Sequence, residues 1–350
     1  MNKKRGGVKL LITILVIVAM IAGVLLAIKI VQDTEQTKQV ANENEEENKQ
    51  EVPTIVIKEP ETWAGNERAI AVMIDNSKEA WPHGGLNEAD LVYEIIVEGG
   101  ETRLMAVFKG KELSKIGPVR SARHYFIDYA LENDAIYTHF GWSPQAQSDI
   151  ATYDVDNING ISESSSSFWR TTDKYAPHNV ATSTEKILEI AERKGYRTTS
   201  DKESVLQYSV DEIDLTEGNP VEEVYIPYSY LQNVSYTYDK ENKVFVRYAR
   251  GELQTDWETG EEVTAKNIII TFAENYTLND SENKGRQGLN NIGTLKGYYI
   301  TNGKYIEITC EKESRNSQTV YKNLAGEEIQ VNDGNTFIQI CPLNAEVEFI

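Results

Sequence analysis

LVYEIIVEGGETRLMAVF, residues 91–108, decides how the chain is read. Two apolar runs, Leu91–Glu98 and Thr102–Phe108, flank Gly99-Gly100, the signature of a β-hairpin. With the glycine pair as a two-residue turn, Ile96 faces Arg103 and Glu94 faces Met105. Glu94, Glu98, Glu101 and Arg103 then share one sheet face, since each face takes every second residue. Like charges directly across a hairpin destabilise it. A cation has to compensate, either Arg103 itself or a metal or ligand-linked charge. Upstream, Arg68–Asp75 (RAIAVMID) is a nearly continuous apolar run of the kind a buried strand shows.

Downstream, IGPVRSARHYFIDYALEN (116–133) predicts a helix with Pro118 at its first position. Val119, Ala122, Phe126, Tyr129 and Ala130 would form its apolar stripe. Arg120 and Arg123 then fall near a helix start that is already partly positive. An anion is expected there, an internal carboxylate or the phosphate or carboxylate of a ligand. From Glu101 to Tyr125, six cations oppose two carboxylates, inside a chain of net charge −20. Ala135–Phe140 reads as a further strand and Gln145–Tyr153 as a short helix. Thr182 and Glu185 make a capping box before a helix that Gly195 stops. The alternation of strands and helices predicts an α/β or α+β domain over residues 62–200.

Residues 201–224 are polar and acidic and read as an inter-domain connection. Over 225–350 the pattern becomes short strands: 234–238, 244–248, 267–272, 297–301, 305–310, 319–322 and 336–341. Turn signals at 239–242, 302–303 and 333–334 separate them. A mostly-β domain, a sandwich or small barrel, is expected.

The N-terminal end sets the address. Leu10–Ile28 is an uncharged apolar run long enough to cross a bilayer core. Lys3, Lys4, Arg5 and Lys9 precede it, so the positive-inside rule keeps residues 1–9 cytoplasmic and sends the rest outside. The run is longer than the apolar core of a signal peptide and has no small-residue cleavage motif. A single-pass, uncleaved anchor over 10–28 is therefore expected. Residues 29–61 hold nine acidic residues against three lysines within 32–61, and read as a disordered linker. The acidic charge argues against a nucleic-acid partner. Cys310 and Cys341 lie in opposite strand phases relative to their apolar neighbours. Two buried thiols are expected in preference to a disulfide.

Arg103, Arg120, Arg123 and Arg170 are the candidate anion ligands, since guanidinium forks suit phosphate and carboxylate. Asp75, Glu94 and Glu98 are their candidate supporting carboxylates. No cofactor is expected, although the same three carboxylates could hold Mg²⁺ or Ca²⁺. His83, His139 and His178 could form a zinc set, and Ser121 or Ser143 could pair with a histidine as a nucleophile.

Several blocks resemble the YerB-like lipoprotein family of Gram-positive bacteria. They are AVMIDNSKEAWPHGGLNEADLVYEIIVEGGETRLMAVF (71–108), IGPVRSARHYFIDYA (116–130), THFGWSPQA (138–146), FWR (168–170) and APHN (176–179), with weaker matches through the second half. The resemblance implies an envelope protein with N- and C-terminal domains of unknown function, and carries no established catalytic residues. The departure is a membrane helix where relatives carry a lipidated cysteine.

Three functions are open at this level. The first is binding of an anionic cell-wall component through an arginine-rich cleft. The second is metal-assisted chemistry on phosphate-containing wall precursors. The third is a non-enzymatic scaffold for wall enzymes. The expected partners are the membrane, through the N-terminal helix, and a wall polymer or wall enzyme. The sequence leaves open whether any reaction occurs.

Overall fold

In the computed structural model, residues 4–46 and 59–350 are described, and they fall into two units, 1–58 and 59–350. The first unit holds one helix, α1 (Lys4–Glu46). Its stretch Ile14–Lys38 is long and apolar enough to cross a membrane, and side chains such as Leu15 and Leu25 are exposed. Forty-three residues at 1.5 Å each make a rod about 65 Å long. The helix continues through residues 29–46, where composition predicts a disordered linker. The remainder of that expected linker, 47–58, lies outside the described residues. Glu59–Glu61 already belong to the second unit, where the Glu61 amide donates to Asp333.

The second unit is built on one twelve-stranded sheet. Its N-terminal contribution is β1 (Ile70–Asp75), β2 (Leu91–Ile96), β3 (Thr102–Phe108), β4 (Ile136–His139) and β5 (Asn157–Asn159). The strand Thr336–Pro342 pairs in parallel with β2 on one side and with Asn267–Thr277 on the other. Gly293–Thr301, Lys304–Lys312 and Val320–Asn323 extend the sheet beyond it. A mixed α/β half and a strand-rich half are therefore present. They are not separate bodies joined by a connection at 201–224, because the sheet runs through both.

The second half is likewise neither a closed barrel nor a sandwich of its own. Its longest strands join the common sheet. Glu223–Pro227, Asn233–Asp239 and Val244–Ala249 form a smaller sheet. Val224, Tyr236 and Phe245 from that smaller sheet pack with Ile268, Ile270 and Phe337 on one face of the large one. Ile187, Ile190 and Ala191 of α4 (Thr184–Lys194) belong to the same core. The opposite face is covered by α2 (His124–Glu132) and α3 (Pro144–Thr152), through Tyr125, Phe126, Tyr129, Ala146 and Ile150.

Three local expectations shift. The hairpin register moves by one residue: Ile95 faces Arg103 and Glu94 faces Leu104. Gly99 and Gly100 both take positive φ, 71° and 81°, within a 3-10 turn at Glu98–Gly100, so the connection is longer than two residues. Residues 116–122 are not helical. They form an extended strap whose backbone bonds alternate between β1 and residues 180–182: Asp75 N–H to Pro118 O, Val119 N–H to Val180 O, Arg120 N–H to Met73 O. Gly117 passes so close to this neighbour that a Cβ would lie 2.7 Å from Val180 O. With most of its backbone groups bonded laterally, the strap does not make helical bonds, and α2 starts only after Arg123. Finally, α4 is capped by Ser183, which accepts from the Lys186 amide, and not by Thr182.

Candidate functional site

The register shift separates the expected carboxylates. In β1, Asp75 lies directly opposite Arg103. Glu94 lies on the other face of the hairpin. It is closed off from solvent, and Arg247 Nη2 lies 2.9 Å from its Oε2. Asn76 and Thr102 bond its other oxygen. Asp75, Glu94 and Glu98 therefore do not converge on a point. Among the described residues no cluster of three His, Cys, Asp or Glu side chains could hold a metal.

Arg103, Arg120 and Arg123 do come together, in a cleft of about 730 Å³ at the β1, β3 and strap ends. Asp75 is its hub. Its Oδ2 sits 3.0 Å from Arg120 Nε and 2.8 Å from His178 Nδ1. Its Oδ1 accepts from the Ser77 hydroxyl at 2.9 Å. Burial pushes the Asp75 carboxyl up, but Arg120 and Arg103, with the His178 and Ser77 bonds, outweigh it and hold the carboxyl below its ordinary range. The hub is therefore charged at neutral pH.

The three arginines differ in what they have free. Arg123 closes a two-pronged pair with Glu98, at 2.6 and 2.7 Å, and gives its remaining arm to Ala122 O. Burial pushes the Glu98 carboxyl up, but the Arg123 hydrogen bonds and the Arg123 and Arg103 charges outweigh it and hold the carboxyl below its ordinary range. Arg103 uses one amine, Nη1, on Ser121 O at 2.7 Å. Burial first, and then the neighbouring Arg123 charge, lower its pKa to about 9. That is the mark of a cation short of counter-charge. Arg120 stands near Asp75 in distance, but its buried Nε makes no well-aligned hydrogen bond.

Two cations of the second half, Lys284 and Arg286, complete the wall. Arg286 is held by Asp280 at 2.7 Å and by Glu282. Trp142 is partly exposed at the rim. Arg170 is not part of the cleft; it bonds Asn179 and stacks over Phe140.

The zinc and serine expectations fail on the same geometry. His139 engages both ring nitrogens, with Gly141 O at 2.8 Å and Asn157 Oδ1 at 3.3 Å. His83 is wholly buried against the Asp75 carbonyl. Ser121 donates to Phe140 O, and Ser143 caps α3; neither touches a histidine. The serine that does is Ser77, and it meets the same nitrogen of His178 that Asp75 holds. In a Ser-His-Asp relay the serine and aspartate occupy opposite ring nitrogens. Ser77 is therefore a brace.

The family models for the N-terminal and C-terminal domains described as "Protein of unknown function (DUF3048)" match residues 57–197 and 224–338. The chain is 32% identical over 283 residues to "Putative lipoprotein YerB" of Bacillus subtilis (strain 168), covering 79% of this chain and 81% of that one. The chain belongs to the YerB family. The crystal structure of the YerB protein from Bacillus subtilis superposes with a TM-score of 0.72 at 32% identity, over 81% of this chain and 94% of the other. The boundary between the two family models falls at 198–223, although the YerB fold described above carries one sheet across it. The similarity to a lipoprotein and the apolar helix α1 together mark this YerB-family chain as membrane-anchored.

Sequence reasoning missed His178 and Ser77 as partners of Asp75, and missed Lys284 and Arg286. His178 had a signal: it stands in the APHN block and Ser77 in the DNSK block, both among the blocks that carry the family resemblance. Arg286 had none, because only the tertiary path of the second half brings it to the cleft.

Proposed function

We propose that the cleft binds an anionic component of the cell envelope. The protein would be held at the membrane by α1, with residues 1–9 cytoplasmic and the globular unit outside. The observation that carries this reading is the state of Arg103 and Arg120. Arg120 stands against Asp75, Arg103 bonds Ser121 O, and among the described residues both keep guanidinium N–H groups that no protein acceptor takes up. Planar N–H forks facing an open cleft suit phosphate or carboxylate. An exported protein at a Gram-positive wall meets polymer phosphates and peptide carboxylates, and the wall polymer is the partner this reading favours.

Metal-assisted chemistry loses its support, because the carboxylates that would hold the ion lie on two faces of the sheet. The scaffold reading draws on Arg123 alone, which Glu98 and Ala122 O occupy. Thermal melting of the detergent-solubilised full chain separates the two. Glycerol 3-phosphate or pyrophosphate should raise the melting temperature by mass action. Arg103→Ala and Arg120→Ala should each abolish the rise. An unchanged melting temperature with both probes would leave the scaffold.

A further inference from the structure

We infer that the cleft is a phosphodiester-cleaving centre in which His178 is the general base, a step that rests on the anion-binding reading. Asp75 holds His178 at Nδ1, so in the neutral ring the proton sits on Nδ1 and the lone pair on Nε2. Among the described residues nothing bonds Nε2, and the side chain keeps 22% of its surface open in the cleft wall. This is the aspartate-histidine half of a hydrolytic relay, with the carboxylate fixing the tautomer and stabilising the imidazolium that forms.

No side-chain nucleophile completes it. The three serines of the cleft are committed: Ser77 to Asp75, Ser121 to Phe140 O, and Ser143 to the cap of α3. The base therefore acts on water or on a hydroxyl of the substrate itself. The same Asp75 that orients His178 also positions Arg120, and Arg103 stands directly across the strand pair from Asp75. Asp75 thus holds a base beside two guanidinium groups that line the same cleft. Negative charge that grows on phosphate oxygens in a transition state would be met by donors already in place.

The substrate class is a phosphodiester, whose anionic oxygens the two guanidinium groups suit. A water molecule gives a proton to His178 Nε2 as its oxygen bonds to phosphorus. The opposite P–O bond breaks and its electron pair leaves on the alcohol oxygen. The imidazolium proton, carried by solvent, neutralises that oxygen. The products are a phosphomonoester and an alcohol.

The test uses the detergent-solubilised full chain with bis(4-nitrophenyl) phosphate, in buffer containing a chelator, following 4-nitrophenolate release. Glycerol 3-phosphate melting shifts are read in parallel. The wild type should release product. His178→Asn, whose amide can still face Asp75, and His178→Gln should each cut release roughly 100-fold, within the range of general-base effects, while the melting shift persists. Release by both variants at the wild-type rate overturns the assignment of His178. Release that needs a divalent ion overturns it in favour of a metal. A melting shift with no release by the wild type overturns the activity and leaves the binding reading standing. Neither shift nor release overturns both.

Discussion

Glu94 Oε2 and Arg247 Nη2 meet at 2.9 Å with both side chains closed to solvent, and they join β2 to the Val244–Ala249 strand of the smaller sheet. Removing one partner leaves an uncompensated buried charge. Arg247→Met alone, or Glu94→Gln alone, should destabilise the globular unit by about 3–5 kcal/mol. The double variant should recover part of that loss. Urea unfolding of the three variants checks both statements.

The cleft arginines should rank in a defined order. Arg103→Ala and Arg120→Ala should abolish phosphate-induced melting shifts. Arg170→Ala should leave them unchanged, because Arg170 bonds Asn179 outside the cleft. Arg123→Lys should lower stability by about 1–3 kcal/mol, since lysine cannot reproduce the two-pronged bond to Glu98. Parallel melting curves with and without glycerol 3-phosphate read all four.

Acid should unfold the protein in part through two histidines. Burial, and then the Arg247 charge, push His83 down to about 3. Burial pushes His139 down to about 4, against the bonds that Gly141 and Asn157 make to it. The unfolded chain binds protons at these sites near pH 6.5, and the folded one does not. Their contribution is therefore fully present above pH 6.5 and falls as pH drops towards 4, by about 1.4 kcal/mol per pH unit for each site. His139→Gln should flatten this slope between pH 6.5 and 4.5 in denaturant titrations at fixed pH values.

Both cysteines should be silent in the folded state. Cys310 and Cys341 are free and buried, and burial pushes the Cys310 thiol up to about 12. A thiol reagent should label neither in the native chain and both after denaturation. Labelling of a native thiol at a rate close to the denatured one would contradict the packing.

Most of this architecture could be read from hydrophobic pattern. Every strand expected in the second half is present, because strong period-two runs ended by turn residues, such as Asn302-Gly303, leave little choice. The errors arose where local signals competed with tertiary bonds. The strap at 116–122 has a helical spacing of apolar residues, yet its backbone groups are taken laterally by Met73, Asp75 and Val180. The glycine pair at 99–100 suggests a two-residue turn, but the connection includes Glu98 as well, and the one-residue shift that follows moves Glu94 to the opposite face. Three of the four candidate arginines share the cleft because they lie near one another in sequence around β3 and the strap. Their hub was harder to see. His178 reaches Asp75 across more than a hundred residues, and no periodicity encodes that contact.

The common sheet also fixes when the protein can exist. Thr336–Pro342, close to the C-terminus, is the strand that lies against β2 and links the two halves. A chain made from its N-terminus holds β1 to β5 long before this partner is available, with one edge of β2 unpaired. The core closes only once the last strands have emerged, and long-range parallel pairing of this kind is slow. A chain cut short before residue 336 therefore lacks the strand at the centre of the large sheet.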